Sequence, residues 1–163
     1  FDLPGSGLST DTLPPDPVPI EVYAERVAAG LDQLGIGQVD FYGMWGGGFV
    51  GLEIARLFPG RVRRLVLSNL FCHAGEEQRW FQENYTPDVS PAWHGGHLLQ
   101  AWHQLRDQGL FYPWFDRSAA GILRREPFVD TWMVHERVCS LVQAANRYRS
   151  AYQAHFTYPT LER

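Results

Sequence analysis

The run Phe41-Tyr42-Gly43-Met44-Trp45-Gly46-Gly47-Gly48 leaves few folds open to this chain, because a strand pattern ends there in glycines and a buried-helix pattern begins. Residues 38–42 are β-branched and aromatic and follow a glycine, which reads as a strand. From Gly46 to Phe58 apolar residues occupy nearly every side (Phe49, Val50, Leu52, Ile54, Leu57, Phe58), interrupted only by Glu53 and Arg56. That suits a helix buried against a sheet. A second strand pattern follows at 62–67, where Arg63 and Arg64 precede Leu65-Val66-Leu67. Strand, helix, strand over about 30 residues is a βαβ unit, whose strands are parallel and whose crossover is right-handed.

The flanking sequence divides near residue 70. Residues 1–20 are rich in proline, with turn chemistry at Pro4-Gly5-Ser6-Gly7, and Phe1 to Leu3 read as the end of a strand. Val22, Val27, Leu31 and Leu34, with Ala24 and Ala28 between, keep helical spacing over 21–34, and Gly35 and Gly37 stop it. After Ser68 the strand signals cease. Residues 75–85, 96–111 and 127–157 read as helices separated by Pro87, Pro91, Pro113 and Pro127. This half also carries Trp80, Trp93, Trp102, Trp114 and Trp132. The expected class is α/β, with at most three parallel strands (1–3, 38–42, 62–67) and an all-helical cap. The expected units are a partial core at 1–71, a helical cap at 72–157, and a return toward the core at 158–163. The chain opens at Phe1 without an initiator Met, and Pro159 interrupts its last helical stretch, so both ends are expected to be cuts within a longer protein.

Composition narrows the partners. A net charge of −4 with no block of like charge gives no footprint for nucleic acid, and no apolar run approaches the roughly 18 residues that span a bilayer. A small apolar or weakly charged molecule is the expected ligand, in a cytoplasmic setting; nothing in the pattern speaks to oligomeric state. Cys72 and Cys139 lie far apart without ligand spacing and are expected to be buried, inert thiols. No metal and no cofactor is expected.

The glycine turn has two functional readings. Gly46, Gly48 and Gly51 satisfy G-x-G-x-x-G, the dinucleotide fingerprint, in which a helix N-terminus receives pyrophosphate. Against it, Gly43, Met44 and Trp45 intervene after the strand, and no acidic residue stands roughly 20 positions on, between Leu65 and Asn69. The other reading is a nucleophile elbow, G-x-Nu-x-G, framed here as Gly43-Met44-Trp45-Gly46-Gly47. A frame shifted by one would place Tyr42 where the turn needs a glycine, so the first frame is preferred on steric grounds.

Three segments carry a resemblance. FDLPGSGLS is similar to the D-x-P-G-x-G-x-S loop of α/β-hydrolases, VDFYGMWGGGFVGLEIA resembles their strand, elbow and helix, and FPGRVRRLVLSN resembles their P-x-R-V-x-x-L-V-L strand. They occur in family order from Phe1 to Asn69, and residues 72–157 resemble the helical caps that many members insert at this point. The resemblance implies relatives that hydrolyse small esters, epoxides, or C–C and C–halogen bonds beneath a lid. It further implies an oxyanion-hole loop on strands upstream, and an acid and a histidine on strands downstream. The family's elbow tip is Ser, Asp or Cys, whereas this chain has Trp45. An indole has one N–H donor and no nucleophilic lone pair. The chain is therefore expected to be inactive by the covalent route, with the Gly46 backbone N–H as the remaining piece of the oxyanion hole. Chemistry by other groups, a noncatalytic binding protein on the same fold, an altered codon, and the dinucleotide module stay open beside it.

Other candidates are weaker. Ser68 and Asn69 follow the second strand at the carboxyl end, where ligands bind in open α/β sheets, although strand-end capping explains them equally. His103 with Asp107 is an i,i+4 pair of packing character, and His94 with His97 lacks a third metal ligand. Substrate contact is considered for Ser68, Asn69, His97, Trp102 and Trp114. The run Trp102, Leu105, Leu110, Phe111, Trp114 and Phe115 supplies either a pocket roof or the packing that any cap needs.

Overall fold

A computed structural model of the chain describes residues 1–126 and 129–160. Its elements in chain order are α1 (Ile20–Gln33), β1 (Val39–Met44), α2 (Gly46–Leu57), β2 (Val62–Ser68), α3 (Gly75–Asn84), α4 (Gly96–Asp107), α5 (Thr131–Gln143) and α6 (Ala145–Thr157). β1 and β2 form a parallel pair joined through α2, with Asp40 opposite Arg64 and Met44 opposite Ser68. A register irregularity lies between Val39 and Asp40.

The α/β part is held by α1 and α2 packing on each other. Val18, Ile20, Tyr23, Ala24 and Val27 meet Phe49, Val50 and Ile54, and Ala154 and Tyr158 of the last helical segment join the same cluster. Of the residues read above as the apolar face of the first helix, Ala24 and Val27 lie in this cluster, whereas Leu34 is exposed beyond the end of α1 and Ile20 and Tyr23 take buried places that the reading did not assign. Gly51 lets α2 approach the sheet closely: a Cβ there would stand 2.8 Å from the Phe41 ring. A second, smaller cluster of Val89, Ala101 and Leu141 ties α4 to α5.

Two polar anchors tie α6 and the residue after it to the first half of the chain. Glu53 is fully buried on α2, is paired with Arg56, and accepts a 2.6 Å hydrogen bond from the Tyr158 hydroxyl. Arg147 at the start of α6 bonds Asp11 at 2.6 Å and the carbonyls of Leu13 and Pro14, fastening the proline-rich first loop beneath α6. Burial of Glu53 is tolerable because both of its oxygens are engaged by Arg56 and one also by Tyr158.

Several expectations are corrected. Phe1 to Leu3 form no strand: Asp2 instead folds over the turn, where its carboxylate accepts from Leu8 N–H and its carbonyl from the Ser9 hydroxyl. The long helix expected over 127–157 is two helices that meet at Ala144; residues 127–128 lie outside the described ones. α5 starts later because Asp130 is its N-cap, accepting from Met133 N–H at 2.8 Å. α4 ends at Asp107, four residues short of the expected 111, and Phe111 forms an antiparallel bridge with Ile122. Both cysteines are exposed, because Cys72 falls on a loop and Cys139 on the outer face of α5. Asp107 does not face His103: it is buried between the guanidinium groups of Arg106 and Arg117, at 2.6 and 2.7 Å.

Candidate functional site

The site is built where β1 ends. Trp45 adopts φ 52°, ψ −125°, and its N–H still continues the ladder by donating to the Ser68 carbonyl at 3.1 Å. α2 begins at the next residue. A positive φ at a bulky residue stores about 1–3 kcal/mol, so the surrounding packing must hold it. Gly43 supplies part of that packing: a Cβ there would stand 2.5 Å from the Gly47 carbonyl oxygen, so the two legs of the turn touch through a glycine. Among the non-glycine described residues, Asn69, just beyond β2, also has positive φ, at 54°. Trp45 and Asn69 thus both take positive φ at adjacent strand ends.

Gly46 is the first residue of α2, so its N–H is among the four that a helix leaves without internal partners. The ring of His155 from α6 lies directly over the Gly46 α-carbon, where a methyl group could not fit. His155 is buried and stacks on Phe49 with centroids 5.7 Å apart, and desolvation pushes its pKa down to about 4. It is therefore a neutral imidazole at physiological pH.

Above the turn, Trp45 lines an aromatic cleft with Phe71, His73, Phe81, Tyr85 and Phe156, closed further by Tyr112 and Tyr152. The enclosed void is only about 10 Å³, close to the lower limit for one water molecule. Trp45 is 43% exposed and Tyr112 48% exposed, so these two form the solvent-facing rim. Burial among these rings pushes the Tyr85 phenol above its ordinary range. His73 is held edge and face: Nδ1 is 3.1 Å from Glu77 Oε2, and the ring stacks on Phe81 with centroids 3.9 Å apart.

The residues expected to form a site are only partly gathered. Gly43, Met44, Trp45, Gly46 and Gly47 make one turn, with Met44 exposed on its flank. Ser68 and Asn69 lie beside it, Ser68 with its carbonyl on Trp45 N–H. His97 is elsewhere, at the start of α4, with Nδ1 accepting from Ala92 N–H. Trp102 lies on α4 and does not line the cleft. Trp114 stands behind the cleft wall, its indole N–H donating to the Tyr85 carbonyl at 3.0 Å. Sequence reasoning missed His73, Glu77 and His155. His73 and Glu77 stand four apart just after β2, the spacing that drew attention to His103 and Asp107. His155 carried no comparable signal, since its place over Gly46 depends on how α6 folds back. Among the described residues no three His, Cys, Asp or Glu side chains gather in a way that could hold a metal ion.

A parallel strand pair joined through a helix, with further helices following it, defines an α/β fold. The sequence profile of the alpha/beta hydrolase fold matches residues 1–137, and the chain belongs to that family. It is 35% identical over 80 residues to 3-oxoadipate enol-lactonase 2 of Acinetobacter baylyi, a match covering 49% of this chain and 29% of that protein. It is 33% identical over 69 residues to RutD of Caulobacter segnis, named as a carbamate hydrolase, covering 42% of this chain and 26% of that one. A solved hydrolase from Pseudomonas aeruginosa PA01 superposes with TM-score 0.58 at 24% identity, over 95% of this chain and 50% of the other. The chain spans about half of that structure, and its matches span under a third of the two curated relatives. No helix among the described residues is long and apolar enough to cross a membrane.

Proposed function

We propose that residues 1–71 are the nucleophile-elbow region of an α/β-hydrolase and residues 72–157 its cap, and that position 45 does not perform covalent catalysis. The observation that carries this is the backbone of Trp45: the strained conformation, the Gly43–Gly47 contact and the immediate start of α2 are the geometry that lifts a reactive side chain over a sheet, and the side chain lifted is an indole. An indole forms no acyl or alkyl intermediate. The relatives named as an enol-lactonase and a carbamate hydrolase suggest that the site beneath the cap takes a small carbonyl compound, held without being attacked from position 45. The alternative function, a binding protein on the hydrolase fold, gains support from the near-closed aromatic cleft.

Hydrolysis of p-nitrophenyl acetate under pre-steady-state conditions tests the reading. The chain is expected to give no burst of nitrophenol stoichiometric with protein. Trp45→Ser in this chain is expected to give none either, since a serine hydroxyl without a positioned base and acid stays a weak nucleophile. In a longer protein carrying the family's downstream acid and histidine, the same substitution is expected to produce a burst. A burst from the unsubstituted chain would refute the proposal.

A further inference from the structure

We propose a metal-binding site on the outer face of α5, where His135 and Cys139 chelate a divalent cation of the zinc class whose remaining ligands are water. Cys139, read from the sequence as a buried inert thiol, is exposed, and its Sγ lies 3.7 Å from Nε2 of His135. The two residues stand four apart within a 13-residue helix, so they sit one above the other on a single face. Zinc binds thiolate sulfur at about 2.3 Å and imidazole nitrogen at about 2.0–2.1 Å, and at a tetrahedral angle those bonds hold sulfur and nitrogen about 3.5 Å apart. The observed separation is within about 0.2 Å of that bite, so a cation can replace the hydrogen shared by the pair without a change in the helix.

The helix fixes the pair in place. Val134 and Leu141 are buried on its inner side, Leu141 against Ala101 of α4, which leaves His135 and Cys139 facing solvent. The His135 ring also stands edge-on to Trp132, one turn earlier, with centroids 5.9 Å apart. Glu136, three residues before Cys139 and likewise exposed, adds negative charge on that side. A thiolate beside an imidazole suits zinc and its borderline-soft neighbours, whereas magnesium and calcium take oxygen ligands. Binding exchanges the thiol proton for the metal and releases that proton to water. With two protein ligands in place of the three or four of resident zinc sites, the cation exchanges readily with solution. None of the residues lining the aromatic cleft lies on α5, so the site is independent of the reading of position 45.

Alkylation by iodoacetamide, read separately at the two cysteines by peptide mass, tests the site on the full chain. Zinc at ten times its dissociation constant is expected to slow the reaction of Cys139 about tenfold, and to leave Cys72, also exposed, at its own rate. His135→Ala removes one ligand at an exposed position and is expected to abolish that protection. Magnesium is expected to give none. Cobalt(II) in place of zinc is expected to bring a near-ultraviolet thiolate-to-cobalt band that Cys139→Ser removes. No protection of Cys139 by zinc up to about 1 mM, equal protection of Cys72, or protection unchanged in His135→Ala would each overturn the site. A cobalt band unchanged by Cys139→Ser would do so as well.

Discussion

Gly46 and Gly47 are neighbours at the start of α2, yet a methyl group would meet very different surroundings at each. At Gly46 it would collide with the His155 ring, whereas at Gly47 nothing lies within 4 Å. Gly46→Ala is therefore expected to destabilise the chain by about 1–3 kcal/mol through overpacking, and Gly47→Ala to be neutral or slightly stabilising in a helix. Urea midpoints of the two variants decide it, and equal midpoints would show that His155 does not rest on the turn. His155 also predicts a pH dependence. Its folded pKa of about 4 lies below the unfolded value of 6.5, so the unfolded chain takes up the proton first as pH falls. The contribution of the neutral ring is complete above pH 6.5 and is lost as pH falls toward 4, by up to about 3 kcal/mol. His155→Phe is expected to flatten the stability profile in that window, measured by denaturant midpoints at successive pH values. At this scale the turn itself was legible in the sequence, because glycine spacing reports steric need directly. His155 and His73 were not, since a histidine reveals its role only through what folding sets beside it.

Elements followed from sequence where a single period dominates. The helices at 20–33 and 46–57 and the two strands obey the periodicity and the glycine boundaries within a few residues. The helices after β2 were harder, because their apolar residues serve two partners: Phe81 and Phe156 line the cleft while Ala101 and Leu141 share a separate cluster. Helical spacing persists through Ala144, so no periodicity argument shows the break between α5 and α6. What fixes the end of α6 is a contact distant in sequence, from the Tyr158 hydroxyl to buried Glu53. Tyr158→Phe is expected to cost about 1.5–3 kcal/mol, the range for a hydrogen bond to a charged group. It should also raise amide exchange in α6 more than in α1. Uniform exchange across both helices would show that this bond does not anchor α6.

Across the molecule, the sheet is the weak part. Two parallel strands leave an unpaired edge on each side, and Tyr42, Met44 and Val66 are exposed on them. Parallel strands are ordinarily buried within larger sheets, and open edges pair with other chains. The 163-residue chain studied alone is expected to self-associate or to melt broadly. A sharp, concentration-independent melt of a monomer, in the same preparation by sedimentation and calorimetry, would contradict this. The account as a whole turns on the proposal that position 45 is the family's elbow position, filled here by a side chain that cannot attack. The most direct test is treatment with a fluorophosphonate that labels activated serine hydroxyls, followed by intact mass. The unsubstituted chain is predicted to remain at its own mass, with no adduct. An adduct would contradict the account, and peptide mapping of it to Ser68 would place the nucleophile at the end of β2 instead of the turn at Trp45.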